Sequence, residues 1–200
     1  MSGYDEKTPR PPVSGRQAAI KRLCDVLLSL FGLVLLSPAL LVIAAAVRTG
    51  DGGPVLFRQE RLTKGGRVFR ILKFRTMRPE AYPGEPEEQR VTRVGGFLRK
   101  RWLDELPQLV NILAGDMSFV GPRPLSLGDV KRAKALCPDF GRREQVRAGL
   151  TGTAQLLGRY DTPPGEKLAL DTLYIEHFSL GLDVRILLQT ALAVFINTNP

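Results

Sequence analysis

From Val26 to Val47 almost every position is apolar, whereas Met1 to Gln17 are polar and rich in proline, glycine and charge. That contrast predicts a disordered basic tail over 1–20, a membrane-associated helix over 21–48 and a folded domain over 49–200. Within the domain, Pro54–Gln59 and Arg67–Phe74 are short alternating segments on either side of Lys64-Gly65-Gly66, the pattern of a β-hairpin. Ala81–Gln89, with its prolines, glycine and glutamates, reads as an exposed loop. Leu106, Leu109, Val110 and Leu113 follow helical spacing, and Gly115 closes that helix. Gly121-Pro-Arg-Pro124 is a turn, Lys131–Leu136 a short basic helix, Arg147–Gly158 a glycine-rich loop and Glu166–Phe178 a helix. Leu180–Ile196 is apolar but carries Asp183, Arg185 and Gln189, which suits an interfacial or packed helix better than a second span. The fold class is therefore α+β, mainly helical with a small β-hairpin.

The apolar run is long enough for one bilayer crossing, which takes roughly 20 residues. It exceeds the roughly 7–15 residues of a signal-peptide core, and a long tail precedes it, which together argue against a cleaved secretory signal. Lys7, Arg10, Arg16, Lys21 and Arg22 lie before it, and Arg48, Arg58, Arg61, Lys64, Arg67 and Arg70 after it. Both flanks thus prefer the cytoplasmic side. Ser37-Pro38 interrupts the run, and a proline removes a backbone donor and kinks a helix. A bent helix that enters and leaves on one side satisfies both facts. On these residues alone a straight anchor with a mild kink stays open.

A net charge of +9 points to an anionic partner without choosing among nucleic acid, anionic lipid and a phosphate-rich substrate. Two cysteines without ligand spacing and one histidine argue against a Cys/His zinc site. The densest polar constellation is Arg99-Lys-Arg-Trp-Leu-Asp-Glu-Leu-Pro-Gln108. Asp104 stands just before a helix, with Glu105 and Pro107 in its first turn, so simple capping accounts for it. The same placement lets adjacent carboxylates serve as nucleophile and as metal ligand or proton acceptor. Arg99, Lys100, Arg101, Arg123, Lys73 and Arg75 supply a cationic cradle for a diphosphate, since phosphoryl transfer is mainly positioning and charge neutralisation.

These stretches together resemble the bacterial sugar transferase family, the monotopic phosphoglycosyl transferases. The matching pieces are Pro54-Val-Leu-Phe-Arg-Gln-Glu-Arg61, Phe69-Arg-Ile-Leu-Lys-Phe-Arg-Thr-Met77, Leu103-Asp-Glu-Leu-Pro-Gln-Leu109, Gly115-Asp-Met-Ser-Phe-Val-Gly-Pro-Arg-Pro124, and Gly149-Leu-Thr-Gly152 with Gln155. They stand in the family's order over about Lys21 to Thr190. The resemblance implies a re-entrant membrane helix broken at Ser37-Pro38, with interfacial helices, at the cytoplasmic face of the inner membrane. It implies a catalytic dyad at Asp104 and Glu105 and a Mg²⁺-dependent two-step reaction. The substrates would be a UDP-sugar and a polyprenyl (undecaprenyl) phosphate. Phosphate-binding positions fall on Arg99 and Arg123, the basic strand-end residue on Lys73, and Gln155 joins the substrate-binding set with Arg75. Asp104 is expected as nucleophile, forming an aspartyl-phosphosugar, and as a Mg²⁺ ligand. The match is to the minimal catalytic form, without the large N-terminal membrane domain of longer relatives. Two departures bear on the donor: Thr153 stands where members often carry Trp, and Arg159–Gly165 is peculiar to this chain.

A membrane-tethered protein that holds nucleic acid or anionic lipid is the main rival. Its basic surface and interleaved Phe69, Phe74 and Trp102 would suit stacking. Acids beside those cations repel phosphate, whereas a Mg²⁺ site explains them, so lipid and sugar nucleotide are the expected partners and nucleic acid is not. An inactive scaffold would not need the intact acidic pair. The sugar, the glycoconjugate pathway and the oligomeric state, homo-oligomer included, stay open.

Overall fold

A computed structural model of the protein describes residues 14–158 and 162–196. Helix α1 (Gly15–Asp51) starts where the Ser14 hydroxyl accepts the Gln17 backbone N–H, and ends at Gly52, in the left-handed region at φ 71°. The expected tail over 1–20 is therefore helical from Gly15. Residues 1–13 lie outside the described set.

Pro38 leaves the helix continuous. A proline at this position offers no N–H to the Val34 carbonyl four residues earlier, and the Ser37 hydroxyl donates to that carbonyl at 2.8 Å. The inward positions of α1 recur every three or four residues. Lys21, Arg22, Asp25, Gly32, Leu33, Leu36, Leu40, Ile43, Ala44 and Val47 all touch the domain. Leu27, Phe31, Val34, Leu35, Leu41 and Val42, on the outer side, are exposed.

Strands β1 (Leu56–Leu62) and β2 (Val68–Phe74) pair antiparallel through a turn at Lys64–Gly66, where Gly65 and Gly66 take successive positive φ. The predicted hairpin is present, with β1 running to Leu62. Phe69 and Ile71 turn inward onto Leu109, Ile112 and Met117, and Leu33 and Leu36 of α1 close that core. Short helices α2 (Glu87–Arg90) and α3 (Arg93–Arg99) follow. The segment expected as an exposed loop is anchored from within. Glu85 is buried, pairs with Arg78 and accepts the Ala81 N–H.

Helix α4 (Gln108–Ala114) ends at left-handed Gly115, as the spacing predicts. Its buried Asn111 accepts from Leu72 N and donates to Arg70 O, both at 2.9 Å, so its amide mimics a neighbouring strand and fastens α4 to β2. Strand β3 (Met117–Val120) follows, then α5 (Leu127–Leu136), capped by Ser126, and a 3-10 segment at Pro138–Gln145.

Arg147–Gly158 is not a loop. It holds β4 (Ala148–Thr151), parallel to β3, and helix α6 (Thr153–Leu157). Its glycines serve a close backbone crossing. A Cβ on Gly149 would lie 2.1 Å from Gly121 N, and one on Gly152 2.2 Å from Gly121 O. Helices α7 (Pro164–Glu176) and α8 (Leu180–Ile196) are the last elements among the described residues. Val184, Leu188 and Leu192 of α8 are exposed. A buried polar clasp joins α8 to α1: Asp183 pairs with Lys21 at 2.6 Å and accepts the Tyr174 hydroxyl at 2.8 Å. Beside it, Asp25 accepts from Ser118 Oγ and Phe119 N, each at 3.1 Å.

Candidate active site

Between α3 and α4 the chain reverses at Trp102, whose backbone takes φ 51°, ψ 19°. This is the one non-glycine residue with positive φ among those described. A bulky side chain in that region costs about 1–3 kcal/mol, and such strain concentrates at functional sites. The reversal sets Leu103–Glu105 as a separate 3-10 turn, and Pro107 rather than Asp104 stands at the start of α4. The capping role expected for Asp104 is not the one it has.

Asp104 and Glu105 are both buried, at 8% and 9% exposure, but they are held differently. Glu105 Oε1 accepts Lys73 Nζ of β2 at 2.6 Å and Arg123 Nη2 of the Gly121–Pro124 turn at 3.0 Å. Burial pushes the Glu105 carboxyl up, but Arg123 and Lys73 outweigh it and hold the group at about 2. Among the described residues Asp104 has no ion pair. Its pKa is raised above the ordinary carboxylate value, by burial first and by the adjacent Glu105 charge, against the pull of Lys73 and Arg99. One carboxylate is thus spent on fixing cations, and its neighbour is left open and comparatively basic.

Lys73 and Arg123 contact Glu105, and the charges of Lys73 and Arg99 act on Asp104. Arg75 is different. It is buried beside Gly53, where a Cβ would fall 1.7 Å from its Nη1, and neither contact of Glu105 comes from it. Gln155 lies over Gly152, its Oε1 2.8 Å from the Cβ position there. Both polar atoms of its amide are buried without a hydrogen-bond partner among the described residues. Of the segment peculiar to this chain, residues 159–161 lie outside the described set.

Sequence reasoning passed over Arg61. This guanidinium donates to Pro124 O at 3.2 Å and to Gln59 Oε1 at 2.5 Å. Its pKa is lowered by burial and by Arg123, against Asp129 and Glu105. Arg61 thus lies within electrostatic reach of both Arg123 and Glu105. The signal was its place at the end of the Pro54–Arg61 motif. Arg61, Lys73, Arg99 and Arg123 against Asp104 and Glu105 leave a cationic surplus suited to a diphosphate.

No group of three or more His, Cys, Asp or Glu side chains could enclose a metal ion among the described residues. The donor set still fits Mg²⁺, which is commonly held by one or two carboxylates together with substrate phosphates rather than by an all-protein cage. Asp104 is the open carboxylate for that arrangement, because Glu105 is engaged by its cations.

Residues 16–197 match the family model for bacterial sugar transferase. The chain is 41% identical to a UDP-glucose:undecaprenyl-phosphate glucose-1-phosphate transferase of Klebsiella pneumoniae, over 93% of this chain and 42% of that protein. It is 41% identical to an enzyme of the same name from Caulobacter vibrioides, over 90% of this chain and 71% of the relative. A UDP-N-acetylgalactosamine-undecaprenyl-phosphate N-acetylgalactosaminephosphotransferase of Aeromonas hydrophila is 40% identical, over 86% and 43%. The protein belongs to the bacterial sugar transferase family. It spans about two fifths of the length of the Klebsiella and Aeromonas relatives.

Proposed function

We propose that the protein is a phosphoglycosyl transferase that moves a sugar-1-phosphate from a UDP-sugar to a polyprenyl phosphate, undecaprenyl phosphate in the relatives' names. The product, a sugar on a lipid diphosphate, is the starting unit of a membrane glycoconjugate. The observation that carries the reading is the division of labour in the acidic pair. Glu105 holds Lys73 and Arg123 in place, and Asp104 stays free beside them.

An Asp104 carboxylate oxygen attacks the sugar-bearing phosphorus. The bond from that phosphorus to the bridging oxygen breaks, and UMP leaves with the electron pair. A polyprenyl-phosphate oxygen then attacks the same phosphorus and releases Asp104. The covalent relay lets a soluble donor and a lipid acceptor bind in turn. A carboxyl held near 2 takes up no proton at neutral pH, so Glu105 orients the cations instead of shuttling protons. Arg123, Arg99 and Arg61 meet the diphosphate oxygens, where a guanidinium fork offers geometry that lysine lacks. Bound Mg²⁺, with Asp104 as a protein ligand, would neutralise diphosphate charge. The unpartnered Gln155 amide offers a donor and an acceptor to the substrate.

The same proposal places the protein on one leaflet, at the cytoplasmic face of the inner membrane. A helix of 37 residues would be roughly 55 Å long if straight, well beyond a bilayer core of roughly 30 Å. A free transmembrane span is surrounded by lipid, whereas one stripe of α1 rests on the domain from Lys21 to Val47 and only its outer side is apolar and bare. That supports a monotopic helix that enters and leaves on one side. The test of the activity is a panel of UDP-sugars with polyprenyl phosphate and Mg²⁺, scored by UMP. Acceptor-dependent turnover of one or more donors is expected. Salt-sensitive nucleic-acid binding with no UMP from any donor would overturn the reading.

A further inference from the structure

Behind the active-site turn lies an ion pair that touches none of the reacting groups. Asp171 of α7 is 1% exposed and Arg143 of the Pro138–Gln145 segment 7%. Arg143 grips the Asp171 Oδ2 atom with Nε at 2.9 Å and Nη2 at 2.7 Å. Its guanidinium also stacks 4.9 Å from the ring of buried Phe140. The same Nη2 donates to the backbone carbonyl of Arg123 at 3.0 Å.

A buried ion pair is weak evidence of stabilisation, because taking both charges out of water offsets much of their attraction. What this pair adds is a fixed donor at one carbonyl of the turn. The Arg123 side chain is 47% exposed and is steadied at its tip by Glu105. The carbonyls of Pro122 and Pro124 are held by the Gly149 N–H at 2.9 Å and by Arg61 Nη1 at 3.2 Å, and Arg143 supplies the hold on the carbonyl between them.

We propose that Asp171 and Arg143 are positioning residues for Arg123: the carboxylate orients Arg143, and Arg143 holds the Arg123 carbonyl so that its guanidinium meets the donor diphosphate. This rests on Arg123 being a phosphate ligand in the transferase proposed above.

The test compares purified wild-type enzyme with R143M/D171L, R123K and the triple variant, using an accepted UDP-sugar, polyprenyl phosphate and Mg²⁺. Replacing both partners by apolar side chains of similar size removes the bond to Arg123 without leaving a buried lone charge. R143M/D171L is expected to unfold within a few degrees of wild type yet lose about 10–100-fold in kcat/KM, as misplaced catalytic groups do. In the R123K background the same replacement should cost less than about threefold more, because coupled residues are not additive. If R123K is impaired while R143M/D171L turns over normally, or if the two losses multiply, the positioning role is overturned. If R123K itself is fully active, the phosphate role of Arg123 fails first. Should the apolar pair not fold, R143Q/D171N replaces it. The two amides can pair without leaving a buried lone charge but supply no guanidinium to the carbonyl, so loss of activity supports the proposal and wild-type activity overturns it.

Discussion

Lys73 Nζ and Arg123 Nη2 meet on one atom, Oε1 of Glu105, at 2.6 and 3.0 Å. A strand end and a proline-bounded turn are thereby tied to the short turn that carries Asp104. Glu105→Gln keeps the shape but not the charge. Its activity is expected to fall at least 100-fold, and its stability by on the order of 2–3 kcal/mol, discounted for the exposure of Arg123. Kinetics and chemical denaturation of the detergent-solubilised protein check both.

The depressed Glu105 pKa makes a separate forecast. A carboxylate whose folded value is about 2, below an ordinary 4.5, contributes stability that is fully present above 4.5 and is lost as pH falls toward 2. Wild-type stability should therefore drop across that window by more than that of Glu105→Gln. Parallel unfolding curves for the two proteins would contradict the clamp.

Asp104 has the opposite sign. Burial and the Glu105 charge raise its pKa before metal binds, and only the ionised group attacks, so the acid limb of the single-turnover rate reports Asp104. Removing the neighbouring charge in Glu105→Gln should move that limb to lower pH. A pH profile of single-turnover UMP release measures it, and a limb that stays put would separate Asp104 from the attacking group.

Arginine geometry at the diphosphate is testable by charge-conserving replacement. Arg123→Lys and Arg99→Lys should each lose most activity while folded and membrane-bound. Arg61→Gln should raise the donor KM about tenfold, the effect of one charge-assisted contact at about 1.5 kcal/mol. Normal activity in the two lysine variants and a normal KM in Arg61→Gln would remove all three from the diphosphate site.

Single cysteines at exposed Arg16 and Thr49 bracket α1. Gly52 is unsuited because its backbone is left-handed. An impermeant reagent added to intact cells should label neither, and both should react after the inner membrane is opened. Labelling of only one in intact cells would show a true span. Pro38→Ala restores the backbone donor and removes the need for the Ser37 hydroxyl on Val34.

The hairpin, α4 and α8 were legible because local periodicity and Gly115 determine them. Strand β4 was not. Its pairing with β3 is non-local, and Gly149 and Gly152, which look like loop residues in sequence, are small because Gly121 passes against them. The acidic pair, Lys73, Arg99 and Arg123 were legible as a motif, but the split between Asp104 and Glu105 depends on which acid Lys73 and Arg123 reach. The backbone of Trp102 decides that and gives no sequence signal. Arg75 alternates with Lys73 along the chain, yet it is buried beside Gly53, a glycine whose role only the packing reveals. Arg143 and Asp171 stand 28 positions apart, too far for any pattern to link them.

The central claim, that Asp104 carries the sugar phosphate between two substrates, is tested most directly by mixing the enzyme with UDP-sugar labelled in the sugar, with Mg²⁺ and without lipid acceptor. The expected result is stoichiometric UMP and label on the peptide that contains Asp104, discharged when polyprenyl phosphate is added and absent in Asp104→Asn. UMP formed only in the presence of polyprenyl phosphate, with no label on the protein at any time, would contradict it.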